Sequence, residues 1–488
     1  MGSAFLAAAL SLIFFCPDFW LWRGVGLPVP DLLTCPNLHR AYFLLLQLAH
    51  PWSHIPGIEA SNNIVIEWRL LFPVLGHYLG MSPTLFFTLP HAGCVATLLL
   101  VAYILRKKTG RFLVVLSGTL LAATGSWFFV STSWLGYSDS WLIFALVLVS
   151  FADSPKALFV TALLAPWVDE RFVLSLPLCL GVRVLMAPPS TPITWKFLAP
   201  HALALVGGVA PYLGIRLGAE LMGIRHTTAG YFLKGFVYDV PARRLLLGFW
   251  QGLRAGWIMA AIFFARAWLN QRNRWHLVAT AGILLSFAVN LRAAGDLSRS
   301  ASVAVPALIG GILLAAQAWP RLALWSLPLL GLANLLLPAE HVVADFIQPI
   351  FNLRRELALM RNPPHYANPN FYCAQGILAL QHDSYQEARF NFDAAIALAP
   401  KFPEALASRG AVLILTGQPA AALPDLDRAL ALNPTLLDAL LDRAIVRKDM
   451  GDSTGARTDL KEFLRLAPAD WPQRKSVEEL MKNLADHS

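Results

Sequence analysis

Charged side chains are scarce in this sequence. Only 14% of its 488 residues are Asp, Glu, Lys or Arg, whereas hydrophobic residues make up 56%. A soluble globular protein usually carries roughly 25% charged residues, so the composition argues for a membrane-embedded part. Residues 1–365 hold 26 Lys and Arg against 14 Asp and Glu, and residues 366–488 hold 13 against 16. We therefore expect two domains that face different solvents.

Motifs of soluble enzymes and metal sites are also missing. The five cysteines show no CxxC and no Cys/His metal spacing. No HExxH, P-loop, GxGxxG or GxSxG motif occurs in a context that would support it. Lys and Arg are scattered between apolar runs and form no basic stripe with interleaved aromatic residues. These absences argue against a soluble hydrolase, a nucleotide enzyme and a nucleic-acid-binding protein, and no metal ligands are predicted.

Long apolar runs fill the first 338 residues. They cover residues 4–22, 83–105, 112–130, 141–152, 155–166, 172–187, 197–217, 245–267, 276–291, 301–318 and 322–338. A helix that crosses the bilayer needs about 20 residues, and three of these runs are shorter, as expected for tilted, paired or partly re-entrant helices. The pattern predicts an all-α, polytopic transmembrane bundle of nine to eleven spans over residues 1–338.

Short basic loops predict the orientation of this bundle. R-K-K-T-G-R, 106–111, places four positive charges between two apolar runs. If this loop is cytoplasmic, residues 23–68 form the first outer loop, and ten of the eleven acidic residues in 1–338 lie on the outer side. We expect several of these acids to line one outward-facing cavity; the simpler alternative is that they lie in exposed loops.

The end of the chain repeats with a period of 34 residues. Gly376, Ala388, Phe392, Ala395 and Pro400 recur as Gly410, Ala422, Leu426, Ala429 and Pro434, and again as Ala444, Ala456, Leu460, Phe463 and Pro468. This pattern resembles the tetratricopeptide repeat, a helix–turn–helix unit whose small residues let paired helices approach closely. It predicts a solenoid of three repeats at about 369–402, 403–436 and 437–470, closed by a capping helix within 471–488.

A connector is predicted between the two domains, over residues 339–368. Its segment V-A-D-F-I-Q-P-I-F-N-L, 343–353, has an amphipathic composition that suits the membrane surface. If the last span exits outward, the repeats are extracytoplasmic.

Polar segments between the apolar runs follow a characteristic order. The first segment, I-E-W-R-L-L-F-P at 66–73, lies before one span and the basic turn. The second, S-T-S-W-L-G-Y-S-D-S-W at 131–141, lies after the next span. The third, W-V-D-E-R-F-V-L-S-L-P-L at 167–178, lies after a hairpin. In order and spacing, residues 1–340 resemble the polytopic GT-C glycosyltransferases, which include protein O-mannosyltransferases and bacterial enzymes that add aminoarabinose to lipid A. The resemblance implies a multi-pass protein, as in the bacterial inner membrane, that uses a lipid-linked sugar donor on the extracytoplasmic side.

The resemblance also implies a catalytic acid in the first outer loop. By position this acid is Asp31, with Asp18 and Glu59 as competitors. In the family such an acid acts on the acceptor or helps to hold a metal, so a divalent metal remains an open cofactor. A loop carboxylate would serve as the base for an acceptor hydroxyl.

Three arginines are expected to neutralise the donor phosphate, because a guanidinium matches phosphate oxygens with paired donors. They are Arg69, Arg171 and Arg299, and the other predicted substrate-binding residues are Glu67, Asp139, Asp169, Glu170 and Asp296. The alternative for each arginine is a salt bridge at a helix end. Glu67 would then pair with Arg69, Asp296 with Arg299, and Arg171 with Asp139, Asp169 or Glu170.

The sequence therefore predicts a membrane glycosyltransferase that moves a sugar from a polyprenyl-phosphate donor to an acceptor. Its tetratricopeptide tail would recruit a protein acceptor or partner. Two alternatives remain: a non-catalytic membrane scaffold in which the repeats do the work, and a lipid or polymer transporter with the charged cluster along its path.

Overall fold

The computed structural model of the chain describes most of both predicted domains. The described residues are 1–15, 39–55, 64–188, 191–222, 241–269, 274–293, 296–343, 347–350, 369–381, 383–468, 471 and 473–486. Contacts between Cα atoms divide the chain into two compact units, the first ending at Ala358 and the second containing all later residues.

The first unit is a bundle of helices. They are α1 (Gly2–Phe14), α2 (His39–Ala49), α3 (Leu71–Tyr78), α4 (Pro83–Thr109), α5 (Phe112–Ala123), α6 (Ser126–Ser133), α7 (Asp139–Phe151), α8 (Pro155–Leu164), α9 (Arg171–Leu174), α10 (Leu176–Leu185), α11 (Trp195–Leu221), α12 (Ala242–Leu253), α13 (Trp257–Leu269), α14 (Arg274–Ala293), α15 (Leu297–Ala301), α16 (Val305–Ala318) and α17 (Pro320–Leu336). Short 3-10 turns lie at Ile64–Trp68, Ala165–Trp167, Arg254–Gly256 and Ser302–Ala304.

Helix α4 shows how the sequence sets its own boundaries. The Ser82 hydroxyl accepts a hydrogen bond from Leu85 N at 3.3 Å, which caps the start of the helix. Gly110 ends it in the left-handed conformation, with φ of 66°. Basic residues fill the last turn, where they suit the negative end of the helix dipole.

By length and composition, five helical segments of the described chain are able to cross a membrane: Pro83–Thr109, Trp195–Ala219, Ala242–Leu269, Arg274–Leu291 and Leu297–Ala318. A sixth results if α5 and α6, bent by 59°, are counted as one span. The shorter apolar helices include α1, α7 and α17. The described chain is thus helical and carries five or six segments long and apolar enough to span a membrane, as in a membrane protein, and the larger count of nine to eleven spans stays a prediction.

The span Leu297–Ala318 lies at the centre of the unit, because 83% of its most apolar stretch is buried. Its close packing on α13 depends on Gly311, because a Cβ atom at this position would lie only 1.8 Å from the carbonyl oxygen of Met259. Only a glycine lets two helix backbones approach so closely.

A β-hairpin follows the last helix of this unit, where the sequence suggested an amphipathic surface segment over 343–353. Strand β1 (Ala339–Val342) pairs antiparallel with β2 (Ile347–Ile350). The hairpin is fixed to the bundle, because Val342 N donates to the hydroxyl of Ser298 at 3.2 Å and Val343 forms a bridge with Asp296. These contacts hold the end of β1 against the start of α15.

The second unit consists of paired helices: α18 (Pro369–Gln381), α19 (Tyr385–Leu398), α20 (Pro403–Leu415), α21 (Pro419–Leu432), α22 (Leu437–Asp449), α23 (Ser453–Leu466) and α24 (Arg474–Asp486). Both helices of each pair begin 34 residues after those of the pair before. A Cβ on Gly376 would lie 2.5 Å from the ring of Phe392, so the small residue permits the close approach of α18 and α19. The assignment to the tetratricopeptide family stays a prediction.

Candidate functional site

Three helix starts of the first unit bring charged side chains together. Asp139 opens α7, Asp169 and Glu170 precede Arg171 at the start of α9, and Asp296 caps α15, which carries Arg299. The Asp296 carboxylate accepts from the backbone N of Arg299 at 3.3 Å. Anionic side chains suit these positions because helix N-termini carry partial positive charge.

Asp139 is the shared acceptor of two arginines. Arg171 Nη2 donates to Asp139 Oδ1 at 2.6 Å, and Arg299 Nε donates to Asp139 Oδ2 at 2.9 Å. Arg171 also donates to both carboxylate oxygens of Asp169, at 2.9 and 2.7 Å. Arg299 reaches Asp296 at 3.0 Å. All these groups are buried or nearly so, so the cluster is a desolvated ion network.

Arg69 extends this network. It lies 3.2 Å from Asp169 Oδ2 and donates to both oxygens of Glu170, at 3.1 and 2.9 Å. The sequence alternative that paired Arg69 with Glu67 is therefore wrong. Glu67 instead accepts from Ile55 N at 3.1 Å. The partner Glu170 lies 101 residues further along the chain than Arg69, so only the tertiary fold determines this pairing.

His341 on β1 closes the other end of the network. Its Nε2 atom lies 3.3 Å from Asp296 Oδ2, and its Nδ1 atom lies 3.3 Å from the hydroxyl of Ser298. Burial lowers the pKa of His341, although the nearby Asp296 carboxylate opposes this effect. No sequence pattern indicated this contact, because no partner in the bundle was predicted for residues 339–353.

The Asp169 carboxylate of the network is held in its ionised form. Burial opposes ionisation of Asp169, but the guanidiniums of Arg171 and Arg69 outweigh it, so the pKa of Asp169 lies well below its usual range. A general base works best with a pKa near the operating pH. Asp169 therefore suits the positioning of arginines better than proton abstraction.

Beside the network lies a cleft lined by two arginines and by apolar side chains. The arginines are Arg40 and Arg69, and the apolar residues are Leu44, Phe72, Pro73, Phe86, Phe87, Leu89, Pro90 and Val168. Gly136 and Ser138 complete the lining. The side chains that line this cleft match the chemistry of a molecule that has an anionic head and an apolar body.

Arg40 is the cation of this cleft that the sequence analysis missed. Its Nε atom donates to Gly136 O at 2.9 Å, and its guanidinium lies 4.3 Å from the centre of the Tyr137 ring. In the described part of the chain no carboxylate forms a salt bridge with it. Burial, followed by the positive charge of Arg69, lowers the pKa of Arg40 to about 10, so it is still protonated at neutral pH. An arginine directly before the apolar stretch 41–49 was the available signal.

The remaining predicted residues take different places. Asp31, Asp18 and Glu59 lie outside the described residues. Asp139, Asp169, Glu170, Arg171, Asp296, Arg299 and Arg69 all belong to the network, and Arg171 and Arg299 have carboxylate partners there. Their contact with a donor phosphate stays a prediction.

Metal ligands are not assembled in the described ranges: no group of three or more His, Cys, Asp or Glu side chains is placed to hold an ion. Comparison with models of known protein families and with curated protein sequences finds no match to the chain.

Proposed function

We propose that the protein is a membrane glycosyltransferase that takes a sugar from a polyprenyl-phosphate donor. The observation that supports this proposal is the cleft in which Arg40 and Arg69 adjoin an apolar wall. The phosphate would bind at the arginines and the first isoprene units along Leu44, Phe72 and Phe86.

Arg40 is the residue best suited to bind the phosphate. Among the described residues its buried guanidinium has no carboxylate partner, so desolvation destabilises it and an anion in the cleft would offset that penalty. Arg69 already has two carboxylates, so it would contribute a weaker share of positive charge. The ion network would hold Arg69 and the start of α9 in place during binding.

The reaction would proceed by attack of an acceptor hydroxyl on the anomeric carbon. The bond between that carbon and the phosphate oxygen breaks, and the polyprenyl phosphate leaves with the electron pair. Because this leaving group is already a stabilised anion, it needs little protonation, and Arg40 would stabilise its charge. The acceptor proton passes to a base, for which Asp31 remains the prediction.

The paired helices of the second unit would recruit a protein acceptor or partner, and the 34-residue spacing of their starts supports a tetratricopeptide solenoid. This role places the unit on the extracytoplasmic side, with the acceptor hydroxyl.

Binding of a polyprenyl phosphate to the purified full-length protein tests the proposal. Loss of a charge-assisted contact costs about 1.5–3 kcal/mol, so Arg40→Gln should bind the lipid roughly 10- to 100-fold more weakly, whereas Arg40→Lys should retain part of the affinity. The uncharged polyprenol should not distinguish the variants. Arg183→Gln is the matched control, since Arg183 also donates to backbone carbonyls, those of Val149 and Ala152, away from the cleft.

Equal binding by Arg40→Gln and the unchanged protein would contradict the proposed site. Asp31→Asn should abolish sugar transfer while leaving lipid binding intact, and unchanged transfer would refute the assignment of the base.

A non-catalytic scaffold is the second candidate, and one observation favours it. The described carboxylates nearest the cleft, Asp139, Asp169 and Glu170, are all ion-paired with arginines. If Asp31→Asn and the unchanged protein both lack transfer with every lipid-linked donor, while the second unit still binds a partner, the scaffold is supported.

A further inference from the structure

Two turns of the first unit present a second group of cations, which form no ion pair with the carboxylates of the network. Helix α4 ends in Arg106, Lys107 and Lys108, and Arg111 follows Gly110. Arg111 Nη1 donates to the carbonyl oxygen of Pro320 at 3.3 Å, which brings the turn between α16 and α17 beside it. Arg321 is the next residue. We call Arg106, Lys107, Lys108, Arg111 and Arg321 the basic corner.

The basic corner has no acidic counterpart in the adjoining sequence. No Asp or Glu occurs between residues 68 and 138 or between residues 297 and 339, so the four helices α4, α5, α16 and α17 carry none. All five cationic residues are exposed, and none has an ion pair within the described chain. Helix capping accounts for the basic residues in the last turn of α4, but it does not account for Arg111 and Arg321, which stand at the starts of other helices.

Exposed aromatic side chains border the basic corner. Tyr103 is 61% exposed, Phe112 67%, Trp319 53% and Trp325 77%. Aromatic residues beside cations are typical of the layer between lipid tails and headgroups. The side chains therefore combine an apolar rim, which suits acyl chains, with charges that suit phosphates.

We propose that the basic corner is a binding site for anionic phospholipid. The headgroup phosphates lie against the cations of the two turns, and the acyl chains pack on the exposed aromatic residues. Because Arg111 joins the turns, one lipid, or two neighbouring lipids, would contact α4, α5 and α17 together and hold these helices in place. This site is independent of the cleft at Arg40 and of the proposed sugar transfer.

The test measures how phosphatidylglycerol protects the purified full-length protein against heat in detergent, relative to phosphatidylcholine. A ligand that binds the folded state raises the melting temperature, and the rise is larger when the ligand binds more tightly. Each cation near a membrane surface strengthens binding about fivefold, so the triple variant R106Q/K107Q/K108Q should bind the anionic lipid roughly a hundredfold more weakly. Phosphatidylglycerol should no longer protect the triple variant against heat. In 0.5 M salt it should also protect the unchanged protein less, because salt screens the attraction between charges over about 3–10 Å.

R266Q/R274Q is the control, because it removes basic residues from a different junction. Protection that survives in the triple variant would overturn the proposal, as would equal loss of protection in the control. A charge-conserving variant, R106K/K107R/K108R, should keep full protection; if it fails with a normal melting temperature in phosphatidylcholine, charge is not the determinant and the proposal is wrong. Inorganic phosphate alone should give no protection, and protection by it would likewise contradict a lipid site.

Discussion

Replacement of Arg171 by methionine should destabilise the first unit substantially. The Arg171 side chain is 5% exposed and makes three side-chain hydrogen bonds to Asp139 and Asp169. Breaking a buried ion pair costs about 3–5 kcal/mol, because the partner charge stays buried without compensation. Here Asp139 keeps Arg299 and Asp169 keeps Arg69, so we expect the lower end, about 3 kcal/mol.

The double variant Asp139→Asn/Arg171→Met restores the balance of charge within the network. Its loss of stability should be smaller than the sum of the two single losses by about 1–3 kcal/mol, as found for residues in one ion network. Arg409→Met is the control in the second unit. Arg409 forms comparable ion pairs, at 2.6 Å with Asp425 and 2.7 Å with Asp393, but its side chain is 25% exposed. We expect a loss of about 1 kcal/mol there.

Buried cysteines allow each unit to be followed separately. Cys94 and Cys179 are buried in the first unit and Cys373 in the second, so each thiol reacts with a labelling reagent only when its own unit opens. In a background with serine at positions 16 and 35, the denaturant midpoint of labelling reports the stability of each unit. If Arg171→Met changes the labelling midpoints of Cys94 and Cys179 by the equivalent of less than about 0.5 kcal/mol, the argument that the network stabilises the fold is refuted.

Two further predictions concern packing and pH. Gly311→Ala should destabilise the first unit far more than Gly282→Ala. The new methyl group would lie 1.8 Å from Met259 O at position 311, whereas at position 282 its nearest neighbour would lie at 3.5 Å. Equal labelling midpoints for the two variants would contradict this close helix contact. Burial and the neighbouring Asp438 raise the pKa of Asp442 to about 7. The contribution of Asp442 to the stability of the second unit is therefore present at low pH and lost as the pH rises through 7. We expect this loss of stability to be about 1–2 kcal/mol. Asp442→Asn should remove this dependence from the Cys373 midpoint between pH 6 and 8, and an unchanged pH profile would disprove the assignment.

Local rules were sufficient where partners are close in sequence. Asp296 and Arg299 are one helical turn apart, and their predicted pairing is present at 3.0 Å. The 34-residue period likewise predicted paired helices, and the observed helices begin at that spacing. In both cases the geometry of an α-helix connects sequence spacing to spatial contact.

Distant partners were beyond these rules. Arg69 pairs with Glu170, 101 residues further along the chain, and Arg40 donates to Gly136 O, 96 residues further. Neither contact follows from periodicity or charge. The hairpin at 339–350 was missed for a similar reason, since its strands are fixed by Ser298 and Asp296 rather than by their own sequence. Arg171 is intermediate: its partners Asp139 and Asp169 were among the alternatives, but only the fold selects both.

The shared carboxylate of Asp139 also has a consequence for biogenesis. Arg171 is 32 residues further along the chain, and Arg299 is 160 residues further. At a synthesis rate of ~5–20 residues per second, Asp139 gains its first arginine within roughly 2–6 s and its second only after roughly 8–32 s. During that interval the helices inserted first carry a partly compensated charge cluster. Arrival of Arg299 gives Asp139 its second arginine, so both oxygens of this carboxylate are paired only after 160 further residues have been made.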